Sequence, residues 1–355
     1  MRGVAALIVL ARHSYVCFLL PAKPDHGYLA VDFFFMLSGF VIAHAYDRQL
    51  KKNMGFWDFL RVRLIRLCPL AWFGVLLGMT AHLCAARSAG GLDFGVIIRI
   101  VRATLANALL LPSSAMLASR AEAFPMDGPL WSLSVEIGVN ILYVMAFRWI
   151  TRASLALTCA VGIVLLGFTA FRFSGLDAGY NWVDLWAGWA RVLFPFAAGM
   201  LLRRSLKPGR FSNAGHLAAL PLLLLLVLPS SLVGGGAWYD LAVVILAFPV
   251  ILAVGAQTSP SPLLDPLWRW LGTISYPLYV LHIPMITGVA KVMKNHHLQH
   301  IAPELAAFTG LGVIGLSWVA GVFFDAPFRR WLGRNVPRFA VSPSSGEIEP
   351  AVLKR

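Results

Sequence analysis

The chain alternates between long apolar runs and short polar blocks almost from end to end. Ten runs reach the length of about 20 residues that carries a helix across a bilayer: 3–20, 28–46, 67–86, 130–148, 154–172, 185–203, 214–232, 239–257, 268–291 and 304–325. An eleventh run, 94–112, is weaker. It carries Arg99 and Arg102 at amphipathic spacing and ends on Pro112. The block 47–66 is a basic linker whose second half, 56–66, mixes aromatic residues with arginines as an interfacial helix does. From about residue 340 the chain turns polar, and the segment 340–355 is expected to be a disordered cytoplasmic tail. The expected fold is an all-α integral membrane domain over 1–339, with about ten transmembrane helices.

Loop charge decides whether 94–112 crosses. If it does not, the basic blocks at 48–52 with 61–66, 148–152, 203–210 and 329–338 all fall on one side. The loops near Asp25, 177–184 and 234–240 then fall on the other. A single additional crossing would scatter the later blocks. Positive charge concentrates in cytoplasmic loops, so 94–112 is expected to be interfacial or re-entrant and both termini to be cytoplasmic. The exception is the basic stretch 291–294, which then faces outside. The first run lacks a small-x-small cleavage site after it and contains Arg12 and His13, so it is expected to be the first spanning helix.

Composition agrees and narrows the class. Of 355 residues, 59% are hydrophobic and 13% charged, about half the charged share of soluble domains. The formal charge of +14 sits in the short blocks between apolar runs, which is the topology pattern and excludes a nucleic-acid-binding module. The four cysteines, Cys17, Cys68, Cys84 and Cys159, form no CxxC pair and read as small buried hydrophobes. His296, His297 and His300 crowd one loop, but without cysteine or carboxylate partners no metal site is expected.

Ionisable residues inside spanning helices cost about 2.5–3.5 kcal/mol each, so each raises a functional question. Arg2 and His13 are eleven residues apart, about three turns or about 16 Å along a helix, and share a face. That spacing suits a long ligand with an anionic head at Arg2 and a reactive end at His13; a buried structural histidine fits it equally. Asp32 and Glu136 approach the depth of His13 from the opposite side and are candidates to orient it as a base, although either could instead pair with Arg12. Tyr279 and His282, three apart, share one helix face and can line a cavity or bond a neighbouring helix. Arg63 and Arg66 precede Pro69 with the same spacing and fit phosphates or lipid head groups.

Six short motifs then spell a pattern. Arg2 is followed after ten residues by His13. Phe33-Phe34-Phe35-Met36-Leu37-Ser38-Gly39-Phe40 follows Asp32. Arg63-Leu64-Ile65-Arg66 leads into Pro69-Leu70. Leu130-Trp131-Ser132-Leu133-Ser134-Val135-Glu136, Ser275-Tyr276 through His282 to Pro284, and Pro327-Phe328-Arg329 complete the series. In this order the chain resembles the membrane-bound acyltransferase 3 family, bacterial enzymes that O-acylate cell-surface glycans. The pattern departs in places: Ile137 and Gly138 stand where the family commonly has a polar or acidic residue and an aromatic, and Asp325 stands where the acidic residue before the closing Pro is often Glu.

The resemblance implies an acyl-CoA donor, usually acetyl-CoA, entering from the cytoplasm, and a carbohydrate hydroxyl as acceptor on a cell-surface or lipid-linked glycan. It implies catalytic His13 with Glu136, to which the reading of the residues themselves adds Asp32 as an alternative for orienting His13, and donor-binding Arg2, Arg63 and Arg66. It places Ser38, Trp131, Ser132, Tyr279 and His282 against the substrates, with Ser132 or Trp131 steadying the oxyanion. It implies no tightly bound cofactor and no metal, membrane lipids as surroundings, and residence in the bacterial inner membrane. The competing class is a glycan or lipid transporter, which intramembrane charge also fits.

Overall fold

Every regular element in the computed structural model is a helix, and the one extended pairing among the described residues is an isolated bridge between Glu122 and Asn181. The structure describes residues 1–20, 25–88, 90–114, 122–206, 216–258 and 261–336. The expected tail at 340–355 and part of the basic block at 203–210 lie outside them.

The helices are α1 (Arg2–Cys17), α2 (Ala30–Lys51), α3 (Phe56–Ser88), α4 (Phe94–Ala108), α5 (Leu130–Ala146), α6 (Arg152–Phe173), α7 (Leu185–Ser205), α8 (His216–Val227) and the short α9 (Ser230–Val233). Then α10 (Ala237–Ala242) runs through a π turn into α11 (Phe248–Gln257). After α12 (Asp265–Asn295), α13 (Ala302–Val319) runs through a second π turn into α14 (Ala326–Asn335). Eight helical stretches are long and apolar enough to cross a membrane, and α1 and α8 are shorter apolar helices beside them. The chain is a multi-pass membrane protein with about ten spans. Its exterior carries Leu157, Val164, Phe168, Leu246, Phe308 and Phe323 exposed to the surroundings, a surface that only lipid can cover.

One expected boundary is moved. The linker at 47–66 is not a separate interfacial helix: its first residues extend α2 to Lys51, and 56–66 is continuous with the next span in the 33-residue helix α3. Pro69 lies inside α3 without ending it. A proline frees one carbonyl of the preceding turn, and a helix packed among others tolerates that loss. The amphipathic run at 94–112 forms α4, capped by Asp93 Oδ1 accepting from the Val96 amide at 2.7 Å and packed on α3. It carries Arg99 and Arg102 and is not one of the eight stretches long and apolar enough to cross.

The most enclosed helices are α2 and α7, which pack on each other. Their contact is made by small residues. A Cβ on Gly39 would lie 2.1 Å from the Phe196 carbonyl oxygen, and one on Gly199 would lie 2.0 Å from the Met36 carbonyl oxygen. Bare backbone at both positions lets the two helices approach closely, which substitutes for the hydrophobic effect that lipid surroundings weaken. Helix α6 packs along α7, α1 and α5 pack on this pair, α12 packs along α1 and on α3, and most of the polar residues expected at the site lie among α1, α2, α3, α5 and α12.

Candidate active site

Arg2 opens α1, while Arg63 and Arg66 share one face of α3 just before Pro69. These ends, with α2, α5 and α12, line a cavity of about 80 Å³ that opens to the surface. All three arginines line it, as do Ser38, Ser132 and Glu136. Arg63 Nη2 donates to Glu136 Oε1 at 2.9 Å, and the Ser38 hydroxyl donates to the same oxygen at 2.6 Å. Three helices thus fix one carboxylate. Arg2 and Arg66 form no ion pair among the described residues, and Arg63 Nε is buried without a hydrogen-bond partner. Three guanidinium groups, within electrostatic reach of one another, face one carboxylate. Such a surplus of buried cation is favourable only with an anion in the cavity, and planar forked donors fit phosphate oxygens.

The wall of the cavity leads away from the arginines. Ser132 Oγ and the Tyr279 hydroxyl are 2.6 Å apart, joining α5 to α12. The Tyr276 hydroxyl donates to the Leu67 carbonyl, tying α12 to α3 beside Arg66. Tyr276, Tyr279 and His282 recur every third residue, so one face of α12 carries them past Pro277 and ahead of Pro284. Behind Tyr279 lies His282, ring centroids 6.0 Å apart, and behind His282 lies His13 at 4.9 Å. His282 Nε2 is 3.2 Å from His13 Nδ1. His282 is fully buried and His13 half-buried. A continuous set of polar groups therefore runs from the arginine cavity to His13, positioned by the packing of α1 along α12.

Not every expected residue joins this set. Asp32 lies at the start of α2 and is wholly enclosed. Arg191 of α7 takes both its oxygens, Nε to Oδ1 at 3.1 Å and Nη2 to Oδ2 at 2.6 Å. The remaining Arg191 donors reach the carbonyls of Ala178 and Tyr28. Trp131 lies under the Arg191 guanidinium, 5.2 Å from its centre, and does not line the cavity. Neither Asp32 nor Glu136 is hydrogen-bonded to His13 among the described residues; the imidazole's side-chain partner is His282. Arg12 pairs with neither carboxylate but with Asp177, at 2.6 Å. Gly138 faces the Trp189 ring, 2.2 Å from where its Cβ would stand, so the missing side chain lets α5 pack on α7.

Two residues were absent from the sequence expectation. Arg191 had a signal, a lone cation within an apolar run, which requires a buried counter-charge. Asp127, just ahead of α5, had none. It is fully buried with neither carboxylate oxygen hydrogen-bonded among the described residues, and burial pushes its carboxyl well above the usual range. No group of three or more His, Cys, Asp or Glu side chains among the described residues is placed to share a metal ion.

The model of the family described as "Acyltransferase domain" matches residues 1–323. Protein 2 in the picA locus of Rhizobium radiobacter is 35% identical over 185 residues, covering 49% of this chain and 93% of that protein. The acyltransferase MdmB of Streptomyces mycarofaciens is 25% identical over 93% of this chain and 87% of its own length. The peptidoglycan O-acetyltransferase OatA of Listeria monocytogenes is 24% identical over 82% of this chain, which spans 50% of that protein. No solved structure matches the chain significantly.

Proposed function

The chain belongs to the Acyltransferase domain family, and on that premise we propose that it moves an acetyl group from cytoplasmic acetyl-CoA to a hydroxyl of a cell-surface or lipid-linked carbohydrate. The observation that carries the reading is the convergence of Arg2, Arg63 and Arg66 on one cavity whose wall continues through Ser132 and Tyr279 to the histidines. An acyl-CoA has that shape: a multiply charged phosphate head, a long uncharged arm and a thioester at the far end. The arginine end of the bundle then faces the cytoplasm, in the bacterial inner membrane, where acyl-CoA is available.

In this mechanism His13 acts as general base. It takes the proton of the sugar hydroxyl as the oxygen attacks the thioester carbonyl. The C–S bond then breaks, and the imidazolium returns the proton to the departing thiolate. The Ser132 hydroxyl donates to the Pro129 carbonyl at 3.0 Å, so the Tyr279 hydroxyl donates to Ser132, and Tyr279 is the group that would turn its hydrogen to the developing oxyanion. Glu136, held by Arg63 and Ser38, sets the charge of the donor cavity.

The test uses cells lacking the protein, complemented with wild type or His13→Ala at matched membrane levels. Wild type is expected to restore O-acetyl groups on the surface glycan. His13→Ala is expected to reduce transfer by about 10²–10⁴-fold, the range for loss of a general base. Full restoration by His13→Ala would remove the histidine from the chemistry. A change in glycan export without any change in acetylation would replace the reading with transport. Label retained on His13 from labelled acetyl-CoA without acceptor would show that the acyl group passes through the imidazole.

A further inference from the structure

The contacts of the two buried imidazoles leave only one arrangement of protons. His282 Nδ1 lies 3.1 Å from the Leu278 carbonyl oxygen, and His13 Nδ1 lies 2.9 Å from the Val9 carbonyl oxygen. A carbonyl only accepts, so each Nδ1 must carry a hydrogen. A neutral imidazole has one N–H, so His282 Nε2 presents a lone pair. That lone pair faces His13 Nδ1 at 3.2 Å. The His13 Nδ1 hydrogen is therefore shared between Val9 O and His282 Nε2, and His13 Nε2 is left bare. The other tautomer of either ring would set its Nδ1 lone pair against the lone pairs of the carbonyl it faces.

Both anchors come from the local helix. Each Nδ1 reaches the carbonyl four residues earlier, a contact that fixes the ring against its own backbone. The meeting of the rings, tilted by 52°, is set by α1 packing along α12. The carboxylates that could have done this work are committed elsewhere, Asp32 to Arg191 and Glu136 to Arg63 and Ser38.

We propose that His282 is a positioning residue for His13: its neutral Nε2 holds the His13 Nδ1 hydrogen, fixes the ring, and so directs the basic Nε2 to the acceptor hydroxyl. This rests on the acyl-transfer reading above. His282 itself neither gains nor loses a proton in the cycle. The hydroxyl proton goes to His13 Nε2, the ester bond forms as the C–S bond breaks, and the proton leaves with the thiol. Throughout, His282 Nε2 accepts from His13 Nδ1, most strongly while His13 is an imidazolium. A neutral acceptor avoids the cost of burying a second carboxylate among apolar helices.

The experiment compares His282→Gln, His282→Asn and His282→Leu in purified, reconstituted protein with acetyl-CoA and the glycan acceptor. The glutamine amide oxygen reaches about where Nε2 stands; the asparagine oxygen reaches only the Nδ1 position. The expected result is His282→Gln within about tenfold of wild type in kcat, with His282→Asn and His282→Leu lower by on the order of 10²-fold. KM for acetyl-CoA is expected within about twofold in all three. Equal losses in the three variants, or a loss carried by KM, would overturn the proposal. Nitrogen-15 NMR of histidine-labelled wild-type protein, with the His13 signal assigned by its loss in His13→Gln, provides an activity-independent reading. A protonated Nδ1 and bare Nε2 are expected, and the reverse tautomer would overturn the proposal even if every His282 variant failed to fold. If wild type transfers no acetyl group, the acyl-transfer reading fails, while the NMR result still decides the hydrogen bond.

Discussion

Two regions of this molecule use arginine and carboxylate inside a membrane bundle, and they do opposite things with them. At one, Arg191 and Asp32 exchange two hydrogen bonds, and the arginine's other donors reach two carbonyls and the Trp131 ring. Nothing is left over, and both side chains are shut away from the surroundings. At the other, three arginines share one glutamate around an open cavity. The first is a closed charge balance that ties α2 to α7, and the second is an unfinished one, with cation in excess, that would accept the anionic donor proposed above. Residue type alone does not separate structure from binding; the stoichiometry of charge around a space does.

The comparison breaks most visibly at Asp32. Asp32→Ala leaves the Arg191 guanidinium buried without its partner and is expected to cost about 3–5 kcal/mol, seen as loss of folded protein on size exclusion and a lower unfolding temperature. The double change Asp32→Leu with Arg191→Met is expected to recover most of that loss, because it removes both charges together. Normal stability in Asp32→Ala, with only activity lost, would move Asp32 back into the chemistry.

At the arginine cavity the signs reverse. Arg66→Ala, which removes a cation with no ion-pair partner among the described residues, is expected to leave the unfolding temperature near wild type. Its effect should fall on KM for acyl-CoA, raised roughly ten- to hundredfold, as loss of one charge-assisted hydrogen bond of about 1.5–3 kcal/mol predicts. A stability loss comparable to that of Asp32→Ala would make the cavity arginines structural as well.

Asp127 supplies the third combination, a carboxylate with no cation. Its carboxyl is held above its unfolded range by burial, so the native state binds the proton more tightly than the unfolded one. Stability from this group is therefore fully present below the unfolded pKa of about 3.9 and is lost as pH rises toward the folded value. Asp127→Asn is expected to raise stability at neutral pH by about 1 kcal/mol and to remove that part of the pH dependence. Thermal unfolding at pH 5 and pH 8 reads both; a variant destabilised at pH 8 would mean that the carboxylate has a partner there.

The sequence alone determined the class of this protein and pointed to residues that share one polar cavity. Apolar runs of bilayer length dictate spanning helices, because a backbone in lipid must satisfy its own hydrogen bonds. Short motifs located Arg2, Arg63, Arg66, Ser38, Ser132, Glu136 and Tyr279, all of which line one cavity. What the tertiary structure decided is which charge meets which. Asp32 and His13 were candidates for each other by depth along their helices, but depth is only one coordinate. Rotation and packing, set by Gly39 and Gly199 between α2 and α7 and by α1 along α12, turned Asp32 to Arg191 and His13 to His282. A hydrogen bond needs its atoms within about 3 Å. Periodicity fixes a residue's face and height on its own helix, and only the packed bundle fixes what stands opposite.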